Sequence, residues 1–338
     1  MRTVRLIDTT LRDGSHAFHH QYTPEQVRNI CAGLERGGVY CAEVGHGAGV
    51  GGSTLQYGLA KHSDREILTA AAEALDKTKL AVLLVPGLGT MEDLKAARDC
   101  GVQMVRVAVH CTEIDVGEQH IKLGKELGMD VVAFFMMTHM TSPEDLAKQA
   151  KTAEDYGAEI IVVADSAGAQ LPYDIEARIR AIRKTVRLPI GVHCHNNLGL
   201  AIGNSLAAID AGVDYIDTAL EGMGAGSGNT STQVMAAVLK KMGVETGADY
   251  YALMEAGEKY VRPLITHSLE VTNESLILGY TGIYSSFYLH VLEYAEHYNV
   301  PAKPIFEELG RRKVVGGQED MILDVVLELL RDQKEALG

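Results

Sequence analysis

The feature that most constrains this chain is a repeat. Short runs of β-branched and apolar residues at 4–9, 40–44, 80–85, 104–109, 131–136, 160–164, 190–195 and 215–219 alternate with longer amphipathic stretches. Runs that are apolar nearly throughout, rather than at every second position, read as strands buried on both faces. That is the condition of a parallel sheet covered by helices. The intervening stretches open with helix-start signals, as at Thr23-Pro24-Glu25, Thr90-Met91-Glu92 and Ser142-Pro143-Glu144. Each puts a capping hydroxyl before Pro or a helix former, with an acid in the first turn. Several stretches close on a glycine before the next run, at Gly101, Gly157 and Gly212, where a left-handed residue ends a helix. Eight such units close a (β/α)8 TIM barrel, and the repeat ends near residue 242, close to the roughly 250 residues usual for that fold. An open doubly wound sheet is the competing architecture, but no G-x-G-x-x-G follows the first run.

Residues 243–338 lose the strand runs and keep helical periodicity, and eight of the fourteen tyrosines fall there. This predicts a helical C-terminal domain after a barrel of residues 1–242, capping it and offering an interface for a partner, since tyrosine is enriched at interfaces. A formal net charge of -14 argues against a nucleic-acid binder, which needs a basic face. No apolar run approaches the roughly 20 residues that span a bilayer, and the start of the chain lacks the apolar core of a signal peptide. Five cysteines, an odd number without a C-x-x-C pair, fit reduced thiols, so the expectation is a cytoplasmic enzyme. Cys31, Cys100 and Cys111 read as buried thiols.

Chemistry in such a barrel sits at the C-terminal ends of the strands. The polar residues there are Asp8, Arg12, Asp13, His16, Glu43, His46, His110, Thr138, His139, Asp165, Ser166, His193, His195, Asn196, Asn197 and Glu221. His193-Cys194-His195 is the sharpest element. Residues two apart in a strand share a face, so both imidazoles look into the barrel while Cys194 looks out. Two imidazoles with a third, carboxylate ligand make a catalytic metal site with open positions, and Asp13, at the end of the first strand, fits that place. Mixed N/O ligation without thiolate suits Mn²⁺, Mg²⁺, Co²⁺ or Zn²⁺. Arg12 would stabilise a developing oxyanion, and His16, with a pKa near neutral, would act as a general base. The glycine-rich run 222–229 could form an anion nest. No lysine ends a strand, which disfavours Schiff-base chemistry. What remains suits carbon–carbon bond chemistry through an enolate.

Asp8-Thr-Thr-Leu-Arg-Asp-Gly14 and His193-Cys-His-Asn-Asn-Leu-Gly199 resemble the superfamily of pyruvate carboxylase-type and HMG-CoA lyase-like barrels. Within it, Leu11-Arg-Asp-Gly-Ser-His-Ala17, His20-Gln21 and Gly282-Ile-Tyr-Ser-Ser-Phe287 resemble the class II 4-hydroxy-2-oxovalerate aldolases. The resemblance implies a divalent ion, usually Mn²⁺, on Asp13, His193 and His195. It implies cleavage of 4-hydroxy-2-oxopentanoate to pyruvate and acetaldehyde in the meta-cleavage degradation of aromatic compounds. Ser166 and Arg12 would orient the 2-oxo acid, whose contacts would also include Asp13 and His193. His16 would take the C4 hydroxyl proton, and Tyr284 would reach over the pocket from the tail. It also implies a partner, an acylating NAD-dependent acetaldehyde dehydrogenase that receives the aldehyde.

Two rivals stand beside this reading. A Claisen-type acyl-CoA enzyme, such as an isopropylmalate or homocitrate synthase, would need acetyl-CoA. The HMG-CoA lyase-like form of this same rival would want a cysteine in the loop 222–229, which has none. A non-catalytic partner subunit is hard to reconcile with an intact set of Arg12, Asp13, His16, His193 and His195.

Overall fold

The computed structural model describes residues 2–266 and 268–337. Its eight strands are β1 (Arg5–Leu11), β2 (Cys41–Val44), β3 (Lys79–Leu84), β4 (Met104–His110), β5 (Asp130–Met136), β6 (Ile160–Asp165), β7 (Ile190–Cys194) and β8 (Tyr215–Thr218). Each pairs in parallel with the next, and β8 pairs with β1, so the sheet closes into a barrel as the repeat predicts.

After the single turn α1 (Gly14–Ala17), the helices around the barrel are α2 (Pro24–Gly37), α3 (Asp64–Ala74), α4 (Met91–Asp99), α5 (Glu118–Glu126), α6 (Pro143–Tyr156), α7 (Pro172–Thr185), α8 (Ala201–Ala211) and α9 (Thr232–Met242). Thr23, Thr90 and Ser142 each accept a backbone N–H in the first turn of their helices. These bonds satisfy donors that a helix start leaves unpaired. Gly157 and Gly212 end α6 and α8 in the left-handed region.

Alternation along the strands makes two cores. Leu6, Val44, Val107, Val163, Val192 and Ile216 pack outward against the helices. Ile7, Met104, Ala108, Val132, Phe134 and Val162 fill the lumen. Cys194 lies in the outer core, as the strand pattern requires. All five cysteines are free thiols; Cys100, expected to be buried, is only partly covered at the end of α4.

The chain beyond residue 242 serves two units. Helix α10 (Tyr250–Ala256) packs on α2, and Leu253, Ala256 and Val261 belong to the barrel's outer core. Close approach explains this, because Cβ atoms on Gly33 and Gly37 of α2 would lie 2.6 Å from Ala256 and 2.4 Å from Leu253. A second hydrophobic cluster, with Leu278, Phe287, Val291, Phe306, Leu309 and Val325 among its members, builds the helical unit. Its helices are α11 (Asn273–Thr281), α12 (Phe287–Tyr298), α13 (Ala302–Arg312) and α14 (Met321–Leu337). Among the described residues, no helix is long and apolar enough to cross a membrane.

Candidate active site and metal centre

β7 and the residue beyond it bring His193 and His195 into the top of the lumen, both buried. His193 Nδ1 lies 2.9 Å from Asp217 Oδ2, and His195 Nδ1 lies 3.3 Å from the Ala225 carbonyl oxygen. Both partners accept hydrogen bonds, so each Nδ1 carries the hydrogen. In neutral imidazoles the two Nε2 lone pairs then face one another, 3.2 Å apart. Asp13 Oδ2 adds a third donor atom, 3.6 Å from His193 Nε2 and 3.8 Å from His195 Nε2.

Three converging lone pairs with no hydrogen between them repel. A proton relieves this in one way and a cation in another, which is the competition expected of a metal site. The proton favours His193, whose pKa is raised: burial opposes its charge, but the carboxylates of Asp13 and Asp217 outweigh it. Burial pushes His195 down to about 4. Asp13 is held well below the usual carboxylate range; burial opposes this, but Arg12 and both imidazoles outweigh it. Donor atoms of Asp13, His193 and His195 all lie within 4.8 Å of one another. The donor set therefore fits a divalent ion with mixed N/O ligation.

Asp13 reaches the histidines from the loop after β1. β8 stands between β1 and β7, so the strands are not direct neighbours. The bridge is the glycine-rich loop, whose Ala225 N–H donates to Asp13 Oδ1 at 3.1 Å while its carbonyl accepts from His195. Ser227 N–H from the same loop donates to Asn197 Oδ1. This loop supports the ligand set with N–H groups that an external anion would otherwise use.

Arg12 donates from Nε to Glu43 Oε2 at 2.7 Å and from Nη1 to Asp13 Oδ2 at 2.6 Å. Burial opposes its charge, but the two carboxylates hold the guanidinium above its ordinary pKa. Its buried Nη2 has no hydrogen-bond partner among the described residues. A buried donor left unpaired costs about 1–3 kcal/mol, and a substrate oxygen would recover that cost.

His16 sits on α1 against Gly47, where a Cβ would come within 2.6 Å of its ring. Its pKa is not near neutral as expected from sequence. Burial, with the charge of Arg12 adding to it, pushes it down to about 3. His16 and Tyr284 line one cleft with Tyr57, Leu83, Met136 and His290. Tyr284 comes from the segment between α11 and α12, whose Ser285 donates to the Ser166 carbonyl from both N–H and hydroxyl, at 3.0 and 2.7 Å. The Ser166 hydroxyl accepts from Met137 N–H at 3.0 Å. Ser166 thus anchors the helical unit to the barrel through its carbonyl.

Several rim residues point elsewhere. Asp8 accepts from Thr10 N–H and the Thr232 hydroxyl, and Asp165 organises its own loop through Ala169 and Gln170. Glu221 pairs with Arg262. His110 contacts Thr112, and His139 contacts the Gly282 carbonyl. Arg106 and Asp217 are functional candidates that the rim inventory misses, because they lie below the strand ends. The signal for them was a charge inside an apolar strand, Met-Val-Arg-Val-Ala-Val and Tyr-Ile-Asp-Thr.

A closed barrel whose rim brings together an Asp-His-His donor set able to hold a metal ion, beside a buried arginine, is the scaffold of a candidate enzyme site, and comparison with known proteins narrows it. Residues 3–259 match the HMGL-like family and residues 269–331 the DmpG-like communication domain. The 4-hydroxy-2-oxovalerate aldolase of Carboxydothermus hydrogenoformans is 51% identical over 99% of both chains. That of Moorella thermoacetica is 52% identical over 97% of each. The carboxyl transferase domain of Rhizobium etli pyruvate carboxylase shares the fold, with a TM-score of 0.81 at 18% identity over 98% of this chain and 61% of that one. The chain belongs to the HMGL-like family, in its 4-hydroxy-2-oxovalerate aldolase branch, and is a lyase.

Proposed function

We propose that this enzyme cleaves 4-hydroxy-2-oxopentanoate to pyruvate and acetaldehyde with the help of a divalent ion, Mn²⁺ before Co²⁺, Mg²⁺ or Zn²⁺. The observation that carries the reading is the convergence of His193 Nε2, His195 Nε2 and Asp13 Oδ2 beside the unpartnered Nη2 of Arg12. An ion held by Asp13, His193 and His195 supplies Lewis-acid polarisation of the 2-oxo group.

The chain's own residues do the rest. Arg12 Nη2 donates to the substrate's 2-oxo acid end and stabilises the negative charge that develops there as the C3–C4 bond breaks. Its other nitrogens are tied to Glu43 and Asp13, so the guanidinium need not reorganise during reaction. His16, neutral across the physiological range because of its depressed pKa, accepts the C4 hydroxyl proton. A base so weak when buried must pass that proton on quickly, and the adjoining cleft lined by His19, His20 and His290 leads toward solvent. Tyr284 restricts how the aldehyde end lies. Ser166 positions the substrate through the backbone it anchors.

The communication-domain match over 269–331 supports a complex with an acylating NAD-dependent acetaldehyde dehydrogenase that takes up the aldehyde. The place we propose for the reaction, in meta-cleavage degradation of aromatic compounds, rests on the family resemblance of the sequence motifs alone. Five free thiols fit a reducing cytoplasm. The test is incubation with Mn²⁺ and 4-hydroxy-2-oxopentanoate, with pyruvate release followed by lactate dehydrogenase. Release that stops with chelator and returns with Mn²⁺ is expected; release unaffected by chelator, or none with Mn²⁺, would overturn the reading. Co-expression with such a dehydrogenase should give one co-eluting complex.

A further inference from the structure

We infer that Arg106 is the positioning residue of this site, one guanidinium that sets both the imidazole meant for the ion and the guanidinium meant for the substrate. The inference rests on the metal-assisted reading above. Arg106 lies in the middle of β4, fully buried. Val105 and Val107 on either side pack outward, so its own side chain enters the lumen with those of Met104 and Ala108.

There it meets two carboxylates. Its Nη2 donates to Asp217 Oδ2, the same oxygen that holds His193 Nδ1 at 2.9 Å. Its Nη1 lies 3.1 Å from Glu43 Oε2, a charge contact without hydrogen-bond alignment, and that oxygen accepts Arg12 Nε at 2.7 Å. The guanidinium carbon lies 4.8 Å from the centre of the Phe134 ring, which adds a cation–π contact. Both arms end at Asp13, one through Arg12 and the other through His193. Arg106 and Asp13 thus stand at opposite points of a closed ring of charges.

Burying an arginine among apolar strands is expensive, and a buried ion pair is often no more stabilising than well-packed apolar side chains. Stability alone is thus a weak reason for Arg106. Geometry is a better one. Asp217 Oδ2 is gripped from two sides, by Arg106 and by His193, so the imidazole plane and the direction of its Nε2 lone pair are fixed. Partners of this kind behind a metal-binding histidine are worth about 10–100-fold in metal affinity. Glu43 does the equivalent for Arg12, fixing where its free Nη2 points. Only a planar fork spans both carboxylates at once; a lysine ammonium supplies the charge without the span.

The experiment compares wild type, Arg106→Lys, Asp217→Asn and Glu43→Gln. It measures Mn²⁺ affinity by equilibrium dialysis, the KM for pyruvate in methyl-proton exchange at saturating Mn²⁺, and Tm in chelator. Asp217→Asn should weaken Mn²⁺ by about 10–100-fold and leave pyruvate KM nearly unchanged. Glu43→Gln should do the reverse, raising pyruvate KM about tenfold at unchanged Mn²⁺ affinity. Arg106→Lys should show both defects. A purely structural role would lower Tm and degrade both readouts together in all three variants, and that result overturns the inference. So does a folded Arg106→Lys with wild-type values. Should Arg106→Lys fail to fold, the split between the two carboxylate variants decides, its presence supporting and its absence overturning. A wild type that binds no Mn²⁺ removes the metal reading as well, whereas binding with unshifted variants removes only the role of Arg106.

Discussion

Two histidine pairs sit at the top of this barrel, and they use the same side chain in opposite ways. His20 and His46 are stacked, with ring centroids 3.6 Å apart. Their lone pairs are occupied: His20 Nδ1 accepts from Gly47 N–H and His46 Nδ1 from Ala48 N–H, while His46 Nε2 donates to the Gly58 carbonyl. His193 and His195 have their Nδ1 hydrogens occupied instead, and their lone pairs converge on a carboxylate. The first pair is complete as the chain builds it and pins the loop around Gly58. The second is complete only with a proton or a cation. Counting hydrogens and lone pairs, rather than counting histidines, separates a structural pair from a ligand pair.

The comparison breaks most visibly by removing one member from each pair. Asp13→Ala or His195→Ala should abolish Mn²⁺ binding and pyruvate release together, whereas His46→Ala should keep Mn²⁺ binding and lose about 1–3 kcal/mol of stability. Equilibrium dialysis beside urea unfolding checks both, and Mn²⁺ retained by a folded His195→Ala would sink the ligand assignment. A smaller effect sharpens the role of the neighbouring cation. Arg12→Lys should still bind Mn²⁺ yet turn over about 10²–10³-fold more slowly, because an ammonium lacks the planar fork that fixes the guanidinium on Glu43 and Asp13 and aims its free Nη2. Next comes His16→Ala, expected to slow cleavage by about 10²–10⁴-fold while methyl-proton exchange of pyruvate continues. Equal loss in both reactions would mean that His16 places the ligand and does not move the proton.

Much of this is legible in the amino-acid sequence. The eight-fold repeat announces closure because strand burial on both faces, helix caps and glycine stops agree at every unit. His193 and His195 are legible because period two along a strand fixes which side chains share a face, and Asp13 because it follows the C-terminal end of the first strand, where the chemistry of such a barrel sits. Position at a strand end does not separate a site residue from a polar residue that serves the backbone, as Asp8 and Asp165 do. It also misses Arg106 and Asp217, whose partners come from other strands and become neighbours only on closure. The shift of His16 depends on Gly47 and on the helical unit lying over the cleft. Neither is encoded near residue 16.

The smallest effect concerns acid. Burial pushes His46 down to about 4 and His16 to about 3, so both are neutral in the folded enzyme over most of the range where an unfolded histidine, with a pKa near 6.5, takes up a proton. Above about pH 7 both states are neutral and neither group affects folding. Between about pH 6.5 and 4 the unfolded chain binds more protons, so stability falls as pH falls, by at most about 1.4 kcal/mol per pH unit for each such group. Glutamine at position 46 can accept from Ala48 and donate to Gly58 without titrating. In chelator, His46→Gln should therefore lose stability less steeply than wild type between pH 6.5 and 4.5, with parallel curves above pH 7. Identical slopes in urea unfolding would mean that His46 takes up its proton in the folded state, and that the stacked pair is not the self-satisfied counterpart of the ligand pair.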